Sequence, residues 1–393
     1  MLPDPYTTAG HVRVSSKPAH ESRVTMTEFI HASHCNLKGF AYAGTILSWI
    51  DVAAGIAAKR HAVSPSVTRS VDDVAFLHPV KLGDIVYIQA SVNKSWKTSM
   101  EVGVKVEAES PLVPGRFFVA HAYLTFVALS PRPSARTHVG RILSDLQTIS
   151  VPALIPQSSM EQKRYEMAET RRQARLRRVQ PDHHLIRDRM REWSQGLRQR
   201  TDPDAPVRVH PGYDEKPDRV LQRRFSQDPR MVEQQEGAKP IRSTFAEVVE
   251  LVMPQHANTL QITFGGQIMA WMEQCALASA NQLVKAYLLT ANSGVGDVVT
   301  IRSIVSRAFN SSMEVYVTVE AENLLTGETK FTNDGFFTIT ASDHEHVPVM
   351  IPKVIPQTEC GIEIFEGGQE RRQLRLDRRK ELIALITASQ RKG

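Results

Sequence analysis

The chain has 393 residues, of which 41% are hydrophobic and 23% charged, and a formal net charge of +6. That length exceeds one ordinary core, and the apolar content suffices for two, which excludes wholesale disorder. Three cysteines far apart, Cys35, Cys275 and Cys360, form no CxxC or His/Cys cluster, which argues against a disulfide framework or a structural zinc site.

The opening text, MLPDPYTTAGHVRV, lacks a charged start followed by an apolar stretch, and no later run approaches the roughly 20 apolar residues of a membrane-spanning helix. The expectation is a cytoplasmic protein with no transmembrane segment. The alternative is mitochondrial, because the start is poor in acidic residues and contains Arg13, Lys17 and Arg23. From Ala43, AGTILSWIDVAAG places Ile46, Ile50, Ala53 and Ala57 on one helical stripe. SVDDVAFLHP then reads as a strand, Gly83-Asp84 as a turn, and Ile85–Val92 and Glu101–Glu107 as alternating strands, closed by AHAYLTFVAL. Residues 131–240 are rich in Arg, Gln and Glu with scattered Pro, and read as a charged helix plus a poorly ordered linker.

The second half then repeats the first. GGQIMAWMEQCAL sets Ile268, Met272, Cys275 and Ser279 opposite the first stripe, NSSMEVYVTVEAE matches KTSMEVGVKVEAE, and NDGFFTITA closes the copy. A weaker third match pairs IPQSS and RRQARLRR with IPQTE and RRQLRLDRR. One helix with several antiparallel strands per copy is α+β, whereas a ferredoxin-like sandwich needs two comparable helices. The predicted boundaries are 20–130 for the first copy, 131–240 for the linker, 241–342 for the second copy and 343–393 for a basic helical tail. From Trp271 to the turn expected at Gly296-Asp297 the chain is about nine residues shorter than from Trp49 to Gly83-Asp84. The missing text matches SVDDVAFLHP, so the second copy is expected to lack one strand.

His34, His61, His78 and His256 have no Ser or Cys partner in a nucleophile-elbow context, which argues against a catalytic triad. His34 and His256 occupy matching places in the two copies and point to a repeated structural or substrate-edge role. Basic helices do bind phosphate backbones, but Glu166 and Glu169 interrupt the run KRYEMAETRRQARLRR, so no nucleic acid is expected as a partner.

HCNLKGFAYAGTILSWIDVAAG, SVTRSVDD, KTSMEV, HANTLQITFGGQIMAWME and NSSMEV together resemble the tandem-hotdog acyl-CoA thioesterases, over roughly residues 20–130 and 241–342. The resemblance implies a double hotdog, each module a central helix wrapped by an antiparallel sheet, that hydrolyses acyl-CoA to free fatty acid and CoA without metal or cofactor. It also implies a homo-oligomer, a trimer of double hotdogs. Vertebrate relatives carry a C-terminal lipid-binding START domain, which is expected to be absent here.

Thioester hydrolysis needs an activated water and a group that holds the charge developing on the carbonyl oxygen. A helix N-terminus with glycines at the turn supplies the second, as Gly265 and Gly266 would in the second copy and Ala43 and Gly44 in the first. The family pattern assigns the base to Asp51 in WID, with Glu273 in WME as a possible second acid. The competing reading of Asp51 is a capped or salt-bridged helix carboxylate. For CoA, the resemblance points to Arg69, Ser70 and Val71 on one side, Thr98, Ser99 and Met100 on another, and Arg172 and Gln173 at the nucleotide end. By itself TSMEV reads as a strand start. One departure stands out: HANTLQITFGG places Ile262 where the family has Asn, so Gln261 or Asn258 would have to substitute. The alternative to an enzyme is therefore an acyl-CoA binding or regulatory protein; a hotdog dehydratase fits the WID and SMEV pattern less well.

Overall fold

The computed structural model describes residues 15–72, 74–131, 146–177, 182–199, 238–258, 262–284, 298–324, 327–343 and 347–390. The chain divides into two compact units, one formed by Met1–Val179 with Ala257–Gln267, the other by Gln180–His256 with Ile268–Gly393.

The first unit runs β1 (Ser16–Pro18), β2 (Val24–Phe29), α1 (Ala43–Ala62), β3 (Ser66–Val71), β4 (Ala75–Phe76), β5 (Ile85–Ser95), β6 (Ser99–Glu109), β7 (Arg116–Pro131), β8 (Leu146–Thr148), β9 (Ala153–Ile155) and α2 (Ser159–Arg177). Its main sheet is antiparallel in the order β2-β5-β6-β7-β3, with β4 and β8 also paired to β7. The predicted stripe of α1 is its buried face, with Ile46 2% exposed and Ile50, Ala53 and Ala57 0%. Small residues dominate because this face lies against a curled sheet, and even Gly55 sits within 3.7 Å of the Phe126 ring. The helix stops at Val63, which takes a left-handed conformation (φ 52°) while its N–H donates to the Lys59 carbonyl. The text SVDDVAFLHP, read as one strand, holds the end of β3 and the two-residue β4, separated at Asp72, whose N–H still donates to Tyr123.

The second unit contains α3 (His184–Gln199), β10 (Lys239–Pro240), β11 (Ala246–Leu251), α4 (Gly265–Val284, its first turn in the first unit), β12 (Val298–Ala308), β13 (Ser312–Glu322), β14 (Thr329–Thr340), β15 (Val354–Ile355) and α5 (Glu359–Gln390). Its described sheet is β11-β12-β13-β14, antiparallel throughout. The predicted turn at Gly296-Asp297 and the connection from α4 to β12 lie outside the described residues. On α4, Met272, Cys275 and Ser279 are buried, and Cys275 and Ser279 both bond the Ser303 hydroxyl. Within the stretch read as a charged helix and linker, α3 is amphipathic, burying Ile186, Met190 and Trp193 at i, i+4, i+7 in this unit's core.

The duplication extends to individual bonds. Ser22 Oγ accepts the Val92 N–H as Thr244 Oγ1 accepts that of Val305. His34 and His256 each stack edge-on against the helix tryptophan, Trp49 or Trp271, at 5.1 Å, and each Nδ1 accepts a backbone N–H three residues back. Of the structural and substrate-edge roles expected of the pair, these contacts are structural. The weak third match also has a physical basis. Glu101 of the first SMEV is 0% exposed, and Arg171 and Arg175 from RRQAR on α2 clamp its two oxygens. Glu314 of the second SMEV, also 0% exposed, is clamped by Arg371 and Arg375 from RRQLR on α5. A fully buried carboxylate is tolerated only when paired and hydrogen-bonded, and an i, i+4 arginine pair on one helix face provides both. A β-bulge turns one further donor onto each glutamate: Asn93 bonds Glu101 and Ser306 bonds Glu314.

Candidate functional site

Asp51, on the third turn of α1 and 3% exposed, is a buried carboxylate that no arginine clamps. Burial demands donors, and two are present. Thr68 donates from Oγ1 to Oδ1 at 2.6 Å, and the Gly266 N–H donates to Oδ2 at 2.9 Å. Thr68 is brought there by β3, whose register on β7 sets it opposite Phe126 just before the chain bulges at Arg69. Gly266 is the second residue of α4, where the amide has no intrahelical acceptor and the helix dipole is positive.

Only glycine fits at position 266, while position 265 is close to its neighbours without a clash. A Cβ on Gly266 would fall 2.6 Å from Ser48 Cα and 2.9 Å from Asp51 Cβ, and one on Gly265 would lie 3.4 Å from Asp51 Oδ1 and from Thr68 Cβ. Gly266, read from sequence as room for a carbonyl, is therefore first the condition for this helix end to reach Asp51. The Gly266 amide, expected to face a developing oxyanion, is occupied by the carboxylate. Among the described residues the Gly265 N–H has no acceptor, so it is the amide of the pair open to a ligand. Burial pushes the Asp51 carboxyl above its ordinary pKa, and the bonds from Thr68 and Gly266, together with the charge of Lys59, only partly offset this. The result is a dry carboxylate with raised proton affinity at a helix N-terminus, the composition of a general base.

The other predicted residues separate into two groups. Arg69 is exposed on its bulge, and Ser70 and Val71 pair with Thr125 and Leu124. Thr98 and Ser99 shape the turn into β6: the Thr98 carbonyl accepts from Ala128 and that of Ser99 from Trp96. Met100 is 0% exposed, so its side chain is core and cannot line a nucleotide. Arg172 stacks on the Trp96 ring at 4.6 Å, Gln173 donates to Glu169, and Glu169 accepts from Trp96 Nε1. The Thr98 turn and the start of RRQ are thus brought together, and the Arg175–Asp72 ion pair (2.7 Å) ties the end of β3 to the same helix. Glu273 lies half-buried in the second unit. Ile262 packs, with Val67 and Val127, against the cluster of Leu129 and Leu146, while Asn258 closes its loop by bonding the Ile262 backbone in both directions. Gln261 lies outside the described residues. Thr68 escaped the sequence reading although it immediately precedes the Arg69 segment; a threonine in a strand carries no mark of the carboxylate it faces. Among the described residues no group of three metal-ligating side chains occurs.

Residues 38–114 match the family described as Thioesterase superfamily. The chain is 31% identical over 375 residues to acyl-coenzyme A thioesterase 11 of Mus musculus, an alignment that covers 91% of this chain and 54% of that protein. It is 32% identical over 146 residues to the uncharacterized acyl-CoA thioester hydrolase YkhA of Bacillus subtilis, covering 35% of this chain and 85% of that protein. A solved structure of an apo-hexameric acyl-CoA thioesterase aligns at 30% identity and a TM-score of 0.37, covering 41% of this chain and 96% of that one. The chain spans about half the length of the mouse relative it matches. A central helix wrapped by a curled antiparallel sheet, and an alignment that runs through nearly the whole of a bacterial relative, place the sequence in one family: the chain belongs to the thioesterase superfamily of hotdog-fold proteins.

Proposed function

We propose that the chain hydrolyses acyl-CoA thioesters to free fatty acid and CoA, with Asp51 as the base. The observation that carries this is the buried Asp51 carboxylate held between the Thr68 hydroxyl and the Gly266 amide. Asp51 takes a proton from water as the water oxygen bonds to the thioester carbonyl carbon. The carbonyl oxygen then carries negative charge, which the Gly265 N–H and the positive end of α4 stabilise. Collapse of the tetrahedral intermediate breaks the C–S bond, and the CoA sulfur leaves as thiolate and takes up the proton. Thr68 and Gly266 keep the carboxylate aimed, so its freedom is already restricted before substrate arrives.

The phosphates of CoA need cations and donors, which Arg69 and Ser70 at the end of β3, Thr98 and Ser99 at the turn into β6, and Arg172 and Gln173 on α2 would supply. Met100 contributes packing only. In this reading the protein acts in the cytoplasm as a homo-oligomer of paired modules. The direct test is CoA release from a panel of short- to long-chain acyl-CoA substrates by wild type and Asp51→Asn. Turnover that collapses in the variant supports the reading. A folded wild type that binds acyl-CoA without turnover would instead make this a binding protein.

A further inference from the structure

The face of α1 turned away from the sheet has a plan of its own. Ser48, Val52, Gly55, Ile56 and Lys59 recur at i, i+4, i+7, i+8 and i+11, opposite the buried stripe of Ile46, Ile50, Ala53 and Ala57. Val52, Gly55 and Lys59 are half-buried and Ile56 is 37% exposed, so a mainly apolar strip lies open along the helix. The strip begins at the site. A Cβ on Gly266 would fall 2.6 Å from Ser48 Cα, and the Ser48 hydroxyl is spent on the Thr45 carbonyl at 2.7 Å. At Gly55 the strip has no side chain, and a Cβ there would meet the Phe126 ring in ordinary contact at 3.7 Å.

The far end of the strip is a cation, Lys59. Its basic neighbours are engaged: Arg60 donates to the Arg23 carbonyl, Lys17 donates to the Arg60 carbonyl and pairs with Glu21, and the buried His61 bonds the Pro152 carbonyl. Among the described residues the Lys59 ammonium makes no hydrogen bond, and no carboxylate comes within 4.0 Å of it. After burial and the bonds from Thr68 and Gly266, its charge is the remaining influence on the Asp51 carboxyl. Strand β3 turns back from the end of α1, meets Asp51 at Thr68 and carries Arg69 and Ser70, the candidates for CoA, on past it. With CoA directed that way, the strip toward Lys59 is left for the acyl group.

We infer that the strip from Ser48 to Lys59 holds the acyl chain and that Lys59 selects chains ending in a carboxylate, the ω-carboxyacyl-CoA thioesters. The apolar floor takes the methylenes, and the unpaired ammonium takes a charge that would otherwise lose its water without a partner. Asp51 and Lys59 are eight residues apart on α1, a rise of about 12 Å. An extended chain advances about 1.2 Å per bonded atom, and a helical lysine leans back toward the N-terminus, so a chain of about eight carbons fits. The inference rests on the hydrolase reading for the identity of the ligand and for the place of its carbonyl at Asp51.

The test titrates the full-length chain by calorimetry with S-alkyl-CoA thioethers, which cannot be hydrolysed. They are used in matched pairs of about eight carbons, one ending in a methyl and the other in a carboxylate. Wild type is compared with Lys59→Met, with Lys59→Arg, and with Arg60→Met, which removes an equal last-turn charge outside the strip. The affinity ratio of carboxylate to methyl should fall about tenfold or more in Lys59→Met, recover in Lys59→Arg and stay unchanged in Arg60→Met. With chains half as long, the ratio should not respond to Lys59. Equal ratios in wild type and Lys59→Met, an equal fall in Arg60→Met, or no binding of either thioether by wild type overturns the inference. CoA release from the matching thioesters separates it from the reading it rests on. Hydrolysis with a ratio indifferent to Lys59 removes the chain-end selection alone, whereas the expected ratios without hydrolysis uphold the selection and refute the hydrolase.

Discussion

Arg171→Ala tests whether the buried Glu101 depends on its clamp. In wild type the two oxygens accept from Arg171 at 2.5 and 3.2 Å, from Arg175 at 3.1 Å and from Asn93 at 3.2 Å, and Glu101 has no exposed surface. Removing one partner of a buried pair costs about 3–5 kcal/mol when nothing replaces it. Arg175 and Asn93 remain, and Arg171 is itself 19% exposed, so about 2–3 kcal/mol is expected. Part of that is the lost stacking of Arg171 on Tyr123, whose ring centre lies 3.6 Å from the guanidinium. In a unit of this size the loss corresponds to a fall in Tm of roughly 5–10 °C. The assay is urea denaturation of wild type, Arg171→Ala, Glu101→Gln and the double variant. Because Glu101→Gln removes the charge that needs the clamp, the double variant should lose less than the sum of the singles, with a coupling of about 1.5 kcal/mol or more. A loss in Arg171→Ala below about 1 kcal/mol with a coupling under about 0.5 kcal/mol would refute the argument and mean that water reaches Glu101. Arg371→Ala, which unclamps Glu314, should destabilise the second unit comparably.

Asp51→Asn should abolish turnover yet raise thermal stability at neutral pH. The folded carboxyl has its pKa raised above the unfolded value, so protonation stabilises the fold; that contribution is complete below the unfolded pKa and is lost as pH rises through the folded one. The Asn variant's advantage in Tm should therefore shrink on acidification and vanish near pH 4, and a constant difference across the range would contradict the assignment. For the same reason the acid limb of kcat/KM in wild type should lie above the ordinary carboxylate range, as a pH–rate profile would show. Gly266→Ala forces its new methyl into the Ser48 backbone and should withdraw the amide from Asp51, with kcat reduced about tenfold or more while circular dichroism shows the fold retained. Val63→Gly should stabilise the first unit by about 0.5–1 kcal/mol in chemical denaturation, because valine bears the cost of the left-handed conformation at the end of α1.

Much of this protein is legible in its sequence alone. The duplication, the apolar stripes of α1 and α4 and the alternating strands around SMEV all follow from periodicity and repetition, because the faces of a helix or strand that meet the core are set by local geometry, whereas the WID carboxylate was singled out only by the family resemblance. The repeated RRQ text was visible too, but not its purpose: Arg171 and Glu101 are 70 residues apart, and neither residue's type says which buried charge it will meet. The same holds for Asp51, whose donors arrive from 17 and 215 residues away, and for Met100, polar in its context but packed in the core. Only the tertiary structure decided that Gly266 serves the carboxylate rather than a substrate oxygen, since a backbone amide is present at every position but proline and acquires a role only where folding aims it.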